Sequence, residues 1–168
     1  MSHRAFVVAV LLSVSTVGFG QGKAAAPSVE GVWKIAEVVT TGANAATNAS
    51  PQPSLIIFAQ GHYSYVSVNG TTPRPAVADA KDPNKLTDAE KIARYEQWNL
   101  FSANAGTYDV KGTTITRRPL VAKNPAVMTT SPPIVQEFKL DGDTLWLISK
   151  SAAGRPASET RTKLVRVR

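Results

Sequence analysis

The sequence predicts an all-β protein, an antiparallel up-and-down barrel of about eight strands with one short α-helix at residues 87–102. Three observations point there. The stretches Tyr108–Ile115 and Phe138–Leu145 read almost alike, with large apolar residues at every second position around a Lys-Gly or Asp-Gly pair. That is the pattern of a β-hairpin closed by a tight turn with positive φ. Eight strand-like runs follow one another with turn residues between most of them, and such a meander closes on itself or stacks into a sandwich. Eight is also the strand number at which a closed barrel is just wide enough to be filled by side chains or to hold one small ligand.

The first residues stand apart from that fold. Met1–Arg4 is a short basic start, Ala5–Phe19 is apolar, and small residues follow at Gly20, Gly22 and Ala24–Ala26. This order reads as a secretory signal peptide over residues 1–26, leaving residues 27–168 as a single barrel domain. The apolar run is shorter than the ~20 residues a membrane span needs and is diluted by Ser13, Ser15, Thr16 and Gly18. Export to the periplasm or beyond, as a soluble product, is therefore expected. The chain has no cysteine, which removes disulfides, thiol catalysis, sulfur-ligated metals and a lipidated cysteine tether.

The strands are expected at 31–39, 54–60, 62–69, 105–111, 113–122, 134–141, 143–150 and 158–167. Residues 40–53, 69–85 and 119–133 are rich in Ala, Asn, Thr and Pro and read as loops. The helix begins at Thr87-Asp-Ala-Glu90, a capping box in which Thr87 and Glu90 each bond the other's free backbone N–H. Behind it Ala89, Ile92, Tyr95, Trp98 and Phe101 recur every third residue as an aromatic stripe. That stripe either lids an open barrel end, with Tyr95 and Trp98 looking into a pocket, or packs on the barrel wall and plugs it.

Alternation assigns the faces. A two-residue turn at Lys111-Gly112 pairs 110 with 113, 108 with 115 and 106 with 117, placing Tyr108, Val110, Ile115 and Arg117 inside, with Arg117 opposite Gly106. A one-residue shift would instead bring Arg118 in. The second hairpin puts Gln136, Phe138, Leu140, Leu145 and Leu147 inside and Glu137, Lys139, Trp146 and Ile148 outside. Around Gln60-Gly61, Ile56 and Phe58 share the inner face with Tyr63 and Tyr65. An inward guanidinium is costly unless paired, and it is well shaped to hold a carboxylate or phosphate through two parallel hydrogen bonds. Arg117 is thus the sharpest candidate ligand anchor, with Tyr108, Gln136, Phe138, Tyr63, Tyr65, Tyr95 and Trp98 as further candidate ligand contacts.

No catalytic set emerges. His62 is the one histidine past the leader, so no usual zinc site can form. No nucleophile elbow, phosphate loop or dinucleotide fingerprint is present, and no carboxylate pair has visibly separated environments. No catalytic residue, metal or cofactor is implied. The formal charge of +7 is concentrated in residues 111–168, with 11 Lys+Arg against 4 Asp+Glu. These basic residues alternate with apolar ones, as on the wet face of antiparallel strands, rather than forming a block.

Three places resemble the bacterial lipocalin-like domain family: Gly31-Val-Trp33-Lys34 at the first strand, Leu55–Phe58 with Gly61–Ser64 in the next hairpin, and Ala105–Val110 followed by Gly112–Ile115 and Phe138–Leu145. The resemblance implies an up-and-down barrel enclosing a small, mostly apolar molecule. It also implies that Trp33 closes the barrel bottom and stacks on an arginine near the chain end, Arg166 or Arg161. Where relatives often carry paired histidines, this chain has Arg117-Arg118. The leading expectation is a monomeric, exported carrier of a small apolar or acidic-headed molecule. The alternatives are a cavity enzyme of isomerase or cyclase type, and a filled barrel whose basic half meets an acidic partner or anionic envelope surface. Nucleic acid is not expected, since export and the lack of a basic-aromatic strand face argue against it.

Overall fold

The computed structural model describes residues 28–168, so the expected signal peptide lies outside the described residues. The chain order is β1 (Gly31–Gly42), β2 (Ala46–Asn48), β3 (Ser54–Ala59), β4 (His62–Val68), α1 (Asp88–Asn99), β5 (Phe101–Lys111), β6 (Thr114–Ala122), α2 (Ala126–Thr129), β7 (Ile134–Asp141), β8 (Thr144–Lys150) and β9 (Ser158–Arg166). Strands β1 and β3 to β9 pair antiparallel in sequence order, and β1 pairs with β9 to close an eight-stranded barrel. The short β2 is an additional strand laid against Val38–Thr40 of β1.

Three tight turns set the register. Between β3 and β4, Gln60 and Gly61 both have positive φ (49° and 74°), as a type I′ turn requires. The other two hairpins differ. Gly112 (φ 57°) and Gly142 (φ 55°) are each the first of two loop residues, because Lys111 pairs with Thr114 and Asp141 with Thr144. Glycine in that first position with positive φ is the type II′ arrangement. The turns therefore sit one residue later than the sequence suggests and both registers move by two. Arg117 faces Tyr108, not Gly106, and Phe138 faces Leu147, not Leu145. A shift of two preserves the inward and outward faces, but Val110, expected inside, is 41% exposed at the closed end, beside Tyr108 and Glu30.

The core fills one end of the barrel. Val29, Trp33, Ile56, Phe58, Tyr63, Ile115, Leu145, Leu147 and Leu164 form one buried cluster. Trp33 is fully buried, and its indole N–H donates to the Val29 carbonyl at 2.8 Å. The Arg166 guanidinium lies 4.2 Å from the Trp33 ring centre and donates to the Glu30 carbonyl at 2.7 Å, sealing that end. Arg161 instead lies on the outer wall, paired with Glu159.

The helix is shorter than expected, since Phe101 already pairs with Val68 as the first residue of β5. Its capping box forms as read, with Thr87 Oγ1 accepting from Glu90 N and Glu90 accepting from Thr87 N. The aromatic stripe does not plug the barrel: Ile92, Tyr95 and Trp98 remain 58%, 66% and 54% exposed. The half-buried face is Glu90, Ala93, Gln97 and Leu100, spaced as a single helical face. Gln97 holds that face to the preceding loop by donating to the Pro75 carbonyl at 3.0 Å.

Candidate functional site

Above the apolar floor, the inner wall turns polar. The inward positions of β4, β8 and β9 run from Tyr63 to Ser67, from Leu147 to Ser149 and from Leu164 to Thr160, while β5 contributes Ser102 and Asn104. Arg117 on β6 stands at this boundary, 7% exposed. Its Nη2 donates to Gln136 Oε1 at 2.7 Å, and the Gln136 amide in turn donates to Ser149 Oγ at 2.8 Å. The guanidinium lies 5.3 Å from the Tyr63 ring centre and 6.0 Å from that of Tyr65. Both rings offer it a negative π face.

These contacts do not neutralise the cation. No carboxylate is paired with Arg117 among the described residues, and its Nε is buried without a hydrogen-bond partner. Burial pushes the guanidinium pKa down and the nearby Tyr63 phenol pKa up, the latter partly countered by the charge of Arg117. Tyr63 remains a neutral donor, giving its proton to Asn104 Oδ1 at 2.7 Å. Arg118 points outward to Asp109, so of the two adjacent arginines it is Arg117 that enters the barrel.

Asn104 links this centre to a cleft of about 580 Å³ at the barrel mouth. Tyr95 and Trp98 form one side of the cleft, and Lys123, Pro125 and Val127 of the β6–α2 segment form the other. Lys123 donates to the Trp98 carbonyl and its ammonium sits 5.3 Å from the Trp98 ring centre. Arg117, Gln136, Tyr63 and Tyr65 thus come together inside the barrel, with Tyr95 and Trp98 at its mouth.

Tyr108 and Phe138 do not join them. They line a groove at the closed end with Ser28, Glu30 and Gly61, where the Tyr108 ring packs edge-on against Phe58 at 5.0 Å and its hydroxyl reaches toward Glu30 at 3.5 Å. Alternation placed both residues on the correct face, and Tyr108 even stands opposite Arg117 in the ladder. But alternation carries no information about which way a side chain leans along the barrel, and Tyr108 leans to the closed end. Sequence reading also missed Ser149, Asn104 and Lys123. Small hydroxyls and amides at inward strand positions look like ordinary strand residues until the register shows that they share one level.

Among the described residues, no group of three His, Cys, Asp or Glu side chains is placed to hold a metal ion. No family model, curated protein or solved structure matches the chain.

Proposed function

We propose that the protein is an exported, lipocalin-like barrel that binds a small molecule with an acidic head. The head meets Arg117 inside the barrel, and the mostly apolar body lies against Tyr95 and Trp98 at the mouth. One observation carries this reading: a buried guanidinium with an orphaned Nε and no carboxylate partner. Leaving such a charge uncompensated costs several kcal/mol of hydration, a cost that an anionic ligand offsets. Gln136 and Ser149 hold the guanidinium plane, so the cation is oriented before the ligand arrives. Tyr63 and Asn104 stand between Arg117 and the mouth; with its Oδ1 occupied by the Tyr63 hydroxyl, Asn104 offers its Nδ2 amide to the oxygens of the head group.

Calorimetry with decanoate and with decanol as its neutral counterpart tests the reading. Decanoate is expected to bind, and decanol to bind at least ~10-fold more weakly, matching a charge-assisted hydrogen bond of about 1.5–3 kcal/mol. Arg117→Gln should lose the preference for the acid while Arg118→Gln keeps it. Equal binding of both probes, or retention of the preference in Arg117→Gln, overturns the proposal.

A further inference from the structure

A second site lies on the outside of the barrel, far around the wall from α1. The register of β7, β8 and β9 brings Lys139, Trp146 and Lys163 into one cross-strand row, with Glu37 of β1 next in line. The adjoining row is Glu137, Ile148, Arg161 and Val39. With strands ~4.8 Å apart, the two lysine backbones stand about 10 Å apart across the tryptophan. This is a basic-aromatic strand face, which the sequence alone did not reveal because its members come from three separate strands.

Lys163 Nζ lies 5.5 Å from the Trp146 ring centre. Trp146 also walls a groove of about 260 Å³ together with Ile148, Lys139 and Arg161. The groove therefore has an apolar lining and cationic edges. Lys139 and Lys163 have no ion-pair partner among the described residues, whereas Arg161 is held by Glu159 at 2.6 Å and the neighbouring Lys150 by Glu137 at 2.8 Å. Trp146 and Ile148 face outward and are partly exposed, so the cationic groove they line offers a partner an apolar surface.

We propose that this groove binds an acidic saccharide chain, with a sugar ring stacked on Trp146 and the carboxylates of its neighbours held by Lys139 and Lys163. The C–H face of a pyranose carries partial positive charge and suits the negative face of an indole. The groove has about the volume of one such ring, and the cations stand on both sides of it. Glu37, Glu137 and Glu159 are interleaved in the same wall. Glu137 and Glu159 are neutralised by Lys150 and Arg161, which leaves Glu37 to accept a sugar hydroxyl beside the stacked ring. A single aromatic falls short of the series of rings on which a single-stranded nucleic acid stacks.

The test uses the whole protein and oligogalacturonate as the probe, read by tryptophan fluorescence and calorimetry. Binding is expected to weaken with salt. It should fall at least ~10-fold in Trp146→Ala and in the Lys139→Ala/Lys163→Ala double variant, while Trp146→Phe stays within ~3-fold of the parent and Arg117→Gln binds normally. An unchanged melting temperature in Trp146→Ala separates lost stacking from lost folding. Equal binding of a neutral maltohexaose overturns the proposal. So does binding by phosphatidylglycerol vesicles or oligodeoxythymidylate in place of the saccharide, or a loss of saccharide binding that follows Arg117→Gln rather than Trp146→Ala. Because the groove and the barrel interior share no residue, failure here leaves the decanoate experiment unaffected.

Discussion

Arg117 Nη2 and Gln136 Oε1 stand 2.7 Å apart, so the buried cation of this barrel is oriented by a neutral amide rather than neutralised by a carboxylate. An amide fixes direction without supplying charge. A buried cation held this way is costly to stability, and exchanging both partners for apolar residues should recover that cost. Arg117→Met/Gln136→Leu is expected to raise the unfolding free energy by about 1–4 kcal/mol in urea titrations while abolishing any preference for acids. Gln136→Leu alone should destabilise, since it strips the buried cation of its one side-chain acceptor among the described residues.

Tyr95 and Trp98 are exposed on a helix that barely touches the barrel, so their truncation should be almost silent in folding. Tyr95→Ala and Trp98→Ala are expected to shift stability by under ~0.5 kcal/mol and yet to weaken decanoate binding several-fold. Thermal melts and calorimetry on the same samples separate the two effects.

Gly106 pairs with Pro119 just beyond an irregularity in the β5–β6 ladder, and an added Cβ would overlap the Arg118 carbonyl oxygen and crowd Leu120 N. Both are backbone atoms and cannot swing aside. Gly106→Ala should therefore cost about 1–3 kcal/mol in denaturant titrations. A Gly112→Ala change also costs stability, but through its positive φ alone, since nothing lies within 4 Å of the added carbon.

Alkaline pH should loosen the barrel through its buried phenols. Burial raises the pKa of Tyr63 in the folded state above its ordinary value of 10.0, and burial together with Glu30 raises that of Tyr108. Each raised pKa contributes stability that is complete below about pH 10 and disappears as pH climbs through the folded value. Stability measured from pH 8 to pH 12 should fall less steeply in Tyr63→Phe than in the parent.

The helix responds at the other end of the scale. Hydrogen bonds from the Thr87 side chain and backbone hold the Glu90 carboxyl below its usual pKa. Its contribution is present above about pH 4.5 and is lost as pH falls through the lower folded value, so α1 should unravel in acid before the barrel does. Hydrogen exchange of the 88–99 amides, compared with those of β8, reads this order directly.

The strands were legible because alternation and turn residues are local. Tyr63, Ile115, Leu145 and Leu147 declare their face within a few residues of sequence. The register was off by two at Gly112 and Gly142 because a lone glycine fits either the second position of a type I′ turn or the first of a type II′ turn. Strand β2 was invisible, since Ala46-Thr-Asn48 has no apolar alternation and forms only against β1. The helix stripe misled for a different reason: periodicity reports a face that could be buried, and here Ala93 and Gln97, not Tyr95 and Trp98, are the half-buried residues, set against the preceding loop.

Strand β1 carries the seam of the barrel. Its first residues pair with β3, its later residues with β2, and nearly its whole length with β9, whose partners lie more than 115 positions away. Every other neighbouring pair in the barrel can assemble in the order in which it is synthesised. The seam cannot, because Ser158–Arg166 emerges only after all the other barrel strands have been made. Until then the nascent protein is an open, curled sheet with two unsatisfied edges, and a chain cut short before Ser158 would keep those edges for its lifetime. Closure is thus a proofreading event: only a polypeptide that carries β9 can hide the open edges of the sheet.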